Sequence, residues 1–151
     1  MIGFAQAKHF TSQNYGLRIG VTAPDMIILH YTAMPDARAA IERLCSQEHE
    51  VSAHYLIACD GSVFQLVSED QRAWHAGKSF WKGEVDINSR SIGIELDNAG
   101  SHPFSVLQMQ SLVRLCRDIQ QRWLILPQSV LGHSDISIGR KTDPGRSFDW
   151  E

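Results

Sequence analysis

At 151 residues, with 43% apolar and 21% charged residues, the chain can form one globular domain with a sizeable core. A formal net charge of −3 argues against nucleic acid as the main partner, because that role favours a basic surface. No apolar run approaches the roughly 18 residues that span a membrane, and the first ten residues lack the charged and long apolar regions of a signal peptide. The chain as given is therefore expected in the cytoplasm, or in the periplasm or outside the cell if an export segment has been removed. Cys45, Cys59 and Cys116 are far apart and odd in number, so neither a disulfide framework nor a cysteine zinc knuckle is expected.

Residues 1–24 carry Gly3, Gly16, Gly20 and Pro24 and read as an irregular lead-in, with a short strand near Leu17 to Val21. Met26 to Thr32 is an apolar, β-branched run of strand length, suited to the buried centre of a sheet, with His30 at its C-terminal end. Pro35 and Asp36 open a helix whose apolar face is Ala37, Ala40, Ile41, Leu44 and Cys45. His54 to Cys59 and Ser62 to Val67 read as a hairpin turning at Asp60-Gly61, a favoured two-residue turn. Residues 68–90 form a long connection holding Trp74, His75, Trp81 and Gly83. A connection of that length in a compact domain is usually functional or disordered, and its two tryptophans and histidine oppose disorder. Ser91 to Asp97 is a strand with Ile92, Ile94 and Leu96 on one face and Gly93, Glu95 and Asp97 on the other.

Ser105 and Gln108 have the spacing of a capping box. The following helix has a stripe of Val106, Met109, Leu112, Val113, Cys116, Ile119 and Trp123, and Pro127 blocks its continuation. Val130-Leu131 then leads into Gly132 to Gly145, where Gly and Pro on both sides oppose regular helix. The order β-α-β-β-loop-β-α-β describes an α/β fold: one domain over 1–151, a mixed β-sheet flanked by α-helices.

The last stretch puts His133, Lys141 and Asp143 within a dozen residues. Zinc takes imidazole nitrogen and carboxylate oxygen, and a catalytic site uses three protein ligands plus an open position. His30, His133 and Asp143 would make that set, although each alone is as well explained by a core histidine or a turn aspartate. Glu95 is an acid on a strand suited to burial. A buried carboxyl rises toward the range of a general base, whereas an exposed face would leave it ordinary. Lys141 could stabilise an oxyanion or be a surface cation.

The segments Ile28-Leu29-His30-Tyr31-Thr32, Ser52-Ala53-His54-Tyr55-Leu56, Ala73-Trp74-His75-Ala76-Gly77, Ile92-Gly93-Ile94-Glu95-Leu96, Gly132-His133-Ser134-Asp135 and Lys141-Thr142-Asp143-Pro144-Gly145 together resemble the amidase-2 family. These are zinc-dependent N-acetylmuramoyl-L-alanine amidases, related in fold to peptidoglycan recognition proteins and phage T7 lysozyme. The resemblance implies one catalytic Zn2+ held by His30, His133 and Asp143, with Glu95 as general base and Lys141 as transition-state stabiliser. It implies cleavage of the amide between N-acetylmuramic acid, intact or anhydro, and L-alanine in peptidoglycan or muropeptides. Tyr31, Trp74, His75, Asn88 and Arg90 are the expected substrate contacts, and His54 is expected to be structural. The loop from Trp81 to Ser91, and Asn98-Ala99-Gly100 after the strand, are more similar to the broad-specificity bacterial type than to the anhydro-specific recycling type. A monomer is expected. A non-catalytic peptidoglycan-binding module is the alternative within the same fold.

Overall fold

The computed structural model describes residues 1–151. In chain order the elements are β1 (Lys8–His9), β2 (Tyr15–Gly16), β3 (Met26–Tyr31), α1 (Ala37–Cys45), β4 (Tyr55–Ile57), β5 (Val63–Gln65), β6 (Arg72–Ala73), α2 (Ile87–Arg90), β7 (Ser91–Leu96), α3 (Val106–Trp123), β8 (Val130–Gly132) and α4 (His133–Ile136). Six strands form one mixed sheet in the order β1-β5-β4-β7-β3-β8, and β2 pairs with β6 in a separate two-stranded ribbon. Within the large sheet only β4 and β5 run antiparallel. The α/β architecture with helices against a mixed sheet is the one read from the sequence. No helix is long and apolar enough to cross a membrane.

Strand alternation divides the core between the two faces of the sheet. Ile27 and Leu29 of β3, with Ile92, Ile94 and Leu96 of β7, pack against Leu112, Leu115 and Ile119 of α3. The other face of β3, Met26 and Ile28, packs on Ala76, Ile87, Leu131 and Ile136. Leu56 of β4 meets Ala40 and Leu44 of α1 on that second face. Each fully buried Leu or Ile contributes about 1.5–3 kcal/mol relative to exposure, so the α3 face supplies much of the stability. The second face carries the polar residues His30 and Glu95 at its end.

Several local features differ from the sequence reading. The lead-in forms strands at β1 and β2, not at 17–21, because backbone groups there find partners on β5 and β6. The hairpin loop spans three residues, Cys59 to Gly61. Ala58 N–H donates to Ser62 O, and Gly61 alone takes the left-handed conformation, φ 83°. Asp60 instead accepts from the Ser62 N–H with its carboxylate, a local bond that selects the longer loop. Ser105 does cap α3 by accepting from Gln108 N–H. Gln108 does not complete a capping box: it is buried and donates to Ile57 O and Asp97 O. The stripe of α3 is rotated from the expected one, with Leu115 buried and Val106 and Val113 exposed. The helix ends at Leu124, whose φ is 58°, before Pro127 is reached. A helical turn, α4, forms at 133–136 despite its flanking glycines, since Asp135 accepts from Gly132 N–H.

The lead-in is fastened by Arg18, a residue the sequence reading passed over. Its guanidinium donates to Ser89 O at 2.7 Å, Ser91 O at 3.2 Å and Glu69 O at 2.7 Å. Burial lowers its pKa to about 10, against the raising effect of Asp70 and Glu69, so it remains a cation at neutral pH.

Candidate metal centre and active site

Strands β3, β7 and β8 are mutually parallel, so their C-terminal ends lie along one edge of the sheet. That edge of an open α/β sheet is where ligand sites form. His30 ends the apolar run of β3, Glu95 is its register partner on β7, and His133 directly follows β8. Asp143 is brought back to this edge by a bond from Ser134 N–H to Asp143 O of 2.9 Å. Tyr31 holds the same loop through its hydroxyl, 3.1 Å from Thr142 Oγ1. A Cβ at Gly100 would stand 3.0 Å from the Tyr31 ring, tighter than an ordinary contact, and the φ of 89° at Gly100 itself favours glycine.

The His30 Nδ1, His133 Nδ1 and Asp143 Oδ2 atoms form a triangle with each side 3.0 Å. All three residues are buried. His133 Nε2 lies 3.0 Å from Ala76 O and 3.3 Å from Arg140 Nη2. The two Nη2 hydrogens go to Ala76 O and Ser137 Oγ at 2.8 Å, so His133 Nε2 carries a hydrogen toward Ala76 O and a neutral His133 presents a bare lone pair at Nδ1. Lone pairs and a carboxylate converging at 3.0 Å repel one another unless a cation lies between them. The donor set fits zinc: tetrahedral bonds of ~2.0–2.1 Å place ligand atoms roughly 3.3 Å apart. Burial takes the His30 pKa down to about 4, outweighing the opposite effect of Asp143, which keeps the imidazole neutral and able to ligate.

These residues line a cavity of about 430 Å³ together with Glu95, Lys141, Tyr31, Trp74 and His75. Glu95 Oε2 is buried with no hydrogen-bond partner. Burial, reinforced by the Asp143 charge and partly offset by Lys141, raises its pKa to about 8. A carboxyl in this state is suited to take and return a proton near neutral pH. Lys141 is exposed at the rim, on the same loop as Asp143. The five residues expected to carry the chemistry are thus brought together in one cleft.

The expected substrate contacts divide. Tyr31, Trp74 and His75 line the cavity, but both His75 ring nitrogens face protein groups, His30 Nε2 at 2.9 Å and Ser91 Oγ at 3.1 Å. Asn88 and Arg90 lie outside the lining. Asn88 Oδ1 accepts from His75 N–H and Ala76 N–H, holding the Trp74-His75-Ala76 turn against α2. Arg90 pairs with Asp25 and Glu84. Both polar groups are thus used inside the fold, where a loop must satisfy its own backbone and anchor its ends. His54 is fully buried; it accepts from Gly93 N–H at Nδ1 and donates from Nε2 to Gln71 O.

The sequence reading missed Arg140. Its guanidinium donates to Ala76 O, Lys78 O and Ser137 Oγ, tying the 76–78 loop to the His133 loop. An arginine in a glycine-rich loop carries no signal of this in sequence, since its acceptors are carbonyls about 60 residues away.

Comparison with known proteins agrees with this geometry. Residues 20–146 match the family model described as N-acetylmuramoyl-L-alanine amidase. The chain is 39% identical over 142 residues to N-acetylmuramoyl-L-alanine amidase AmiD of Escherichia coli K12, covering 83% of this chain and 50% of that protein. It is 33% identical over 161 residues to 1,6-anhydro-N-acetylmuramyl-L-alanine amidase AmpD of Enterobacter cloacae, covering 95% of this chain and 86% of that one. A crystal structure of an AmpD selenomethionine derivative superposes with a TM-score of 0.89 at 31% identity, over 97% of this chain and 92% of the other. The chain thus spans half of AmiD but most of AmpD. With the family match running through every motif at the sheet edge, the chain belongs to the N-acetylmuramoyl-L-alanine amidase (amidase-2) family.

Proposed function

We propose that this chain hydrolyses the amide between N-acetylmuramic acid, intact or 1,6-anhydro, and L-alanine in peptidoglycan or its fragments, with one zinc ion held by His30, His133 and Asp143. The observation that carries the reading is the 3.0 Å triangle of donor atoms beside the unpartnered Glu95 Oε2, in one cavity. Zinc in such a site supplies a polarised carbonyl and an acidified water. Glu95 Oε2 takes the proton of the attacking water and returns it to the departing L-alanine nitrogen. The ammonium of Lys141 faces the charge that develops on the carbonyl oxygen, a contribution of roughly 3–4 kcal/mol for a well-aimed donor. Tyr31 and Trp74 offer aromatic walls to the sugar and peptide on either side of the bond.

The test incubates zinc-loaded protein with a muropeptide and its anhydro form and follows free stem peptide by mass spectrometry. Release that stops with a chelator and returns with zinc supports the reading. Binding of muropeptide without release, or release indifferent to chelation, overturns it; the former outcome identifies a non-catalytic binding module.

A further inference from the structure

His133 receives its hydrogen placement directly from a backbone carbonyl, Ala76 O. His30 has no carbonyl beside Nε2; its neighbour there is another imidazole, His75 Nδ1, at 2.9 Å. An imidazole facing an imidazole can share the hydrogen either way, and the wrong choice would put a hydrogen on the ligand atom of His30. We infer that Ser91 and His75 are positioning residues, a two-side-chain relay that carries the instruction of a distant carbonyl to the metal-binding nitrogen of His30. The inference rests on the metal reading above.

The direction of the relay follows from counting hydrogens. Ser91 Oγ lies 2.7 Å from Ile87 O, and a carbonyl only accepts, so the single hydroxyl hydrogen is committed there. Ser91 Oγ can then only accept from His75 Nε2, 3.1 Å away, which places the hydrogen of a neutral His75 on Nε2. His75 Nδ1 is left as an acceptor and takes the hydrogen from His30 Nε2. His30 Nδ1 is bare, and it is this atom that faces His133 Nδ1 and Asp143 Oδ2.

The seat for His75 is built into β7. Ser91 and Gly93 lie on one face of the strand, two residues apart. A Cβ on Gly93 would stand 2.5 Å from His75 Cδ2 and Cγ, so the ring lies where any other residue would put its side chain. Ile87, the source of the carbonyl, is fully buried at the start of α2, which fixes the far end of the relay. His75 meets the His30 ring edge-on, with centroids 5.1 Å apart and planes at 81°. Glycine inside the apolar run Ile92-Gly93-Ile94 is a cost to the strand, and the His75 seat accounts for it.

The experiment measures zinc affinity by competition with a chromophoric chelator, and the visible spectrum of the cobalt-substituted protein, for the parent and three variants. His75→Phe keeps a ring and removes the acceptor; His75→Asn puts an amide oxygen near the place of Nδ1; Ser91→Ala removes only the hydroxyl. Loss of an outer-shell partner typically loosens metal ~10–100-fold. We expect that loss with an altered cobalt spectrum for His75→Phe, a smaller loss for Ser91→Ala, and recovery of most of the affinity in His75→Asn. Parent-like affinity in both His75→Phe and Ser91→Ala overturns the relay, as does a loss in His75→Asn equal to that in His75→Phe. Should His75→Phe fail to fold, Ser91→Ala decides: unaltered zinc affinity in a variant with a parent-like metal-free melting temperature overturns the relay. A parent that binds no zinc overturns the metal reading and the relay with it, whereas a zinc-binding parent with unaffected variants overturns the relay alone.

Discussion

His30 on β3 stands directly opposite Glu95 on β7, register partners on adjacent parallel strands. Neighbouring strands lie ~4.8 Å apart, and partners in register point to the same face. One row of the sheet therefore delivers the proposed metal ligand and the proposed proton acceptor side by side, without help from any loop.

Glu95→Gln keeps the shape of the row and removes the proposed base. Metal content is expected to match the parent while kcat falls ~10²–10⁴-fold, checked by metal analysis and peptide release. The same pair of proteins gives a pH test without metal. In the folded protein the carboxyl titrates at about 8, against an ordinary value of 4.5. Its contribution to stability is complete below 4.5 and is lost as pH rises toward 8, because the folded state holds the proton more tightly. Glutamine does not titrate. Thermal unfolding in chelator should show the variant gaining on the parent between those two pH values; parallel curves would contradict the buried, unpartnered carboxyl.

Lys141→Ala should retain the metal and lower kcat ~10²-fold or more with little change in KM, if the ammonium acts as proposed, where charge develops. A rise in KM at constant kcat would make Lys141 a substrate-binding residue instead. Steady-state kinetics on a defined muropeptide separates the two.

His54 is a histidine whose folded pKa, about 3, lies below its ordinary 6.5, first through burial and then through the nearby Arg18 charge. The sign is opposite to that of Glu95: its contribution is present above 6.5 and is lost as pH falls toward 3. Urea unfolding of metal-free parent and His54→Asn should give a variant that is less stable at neutral pH and has a flatter profile between these limits. A variant profile as steep as the parent's would show that His54 titrates normally in the fold.

Glu69 is fully buried yet completely partnered, accepting from Tyr55 Oη, Arg122 Nε and Trp123 Nε1. Arg122 is partly exposed and keeps Asp118, so the main cost of removing Glu69 is a buried Tyr55 hydroxyl left without its acceptor, about 1–3 kcal/mol. Glu69→Ala should destabilise by about that amount, read by urea unfolding at neutral pH, without changing metal affinity. An effect below about 1 kcal/mol, the worth of an exposed pair, would show that the network contributes little.

The elements legible in the sequence were those set by short-range pattern. The apolar run of β3, the alternation of β7 and the amphipathic spacing of α1 each announce a strand or helix, because burial of one face selects the period. What failed was decided by partners far along the chain. Gln108 looks like a capping residue until Ile57 O and Asp97 O claim its amide. Asn88 and Arg90, expected at the groove, lie outside the cavity lining, with their polar groups engaged by the loop's own backbone and by Asp25. The strands of the lead-in are two residues each and exist only because β5 and β6 offer open edges.

The stretch from Gly132 to Gly145 shows the same division within the site. Its histidine, lysine and aspartate, together with His30 and Glu95 upstream, were candidates by residue type and were given roles by the resemblance to the amidase-2 motifs, since zinc and proton transfer draw on such side chains whatever the fold. That three donor atoms meet at 3.0 Å, and that Glu95 Oε2 is left without a partner, came from the parallel edge of β3, β7 and β8. The hydrogen on His30 is settled further away, by Ile87 O acting through Ser91 and His75. Side-chain chemistry is a local property of the sequence; which lone pair is bare depends on hydrogen bonds that only the packed structure brings within reach.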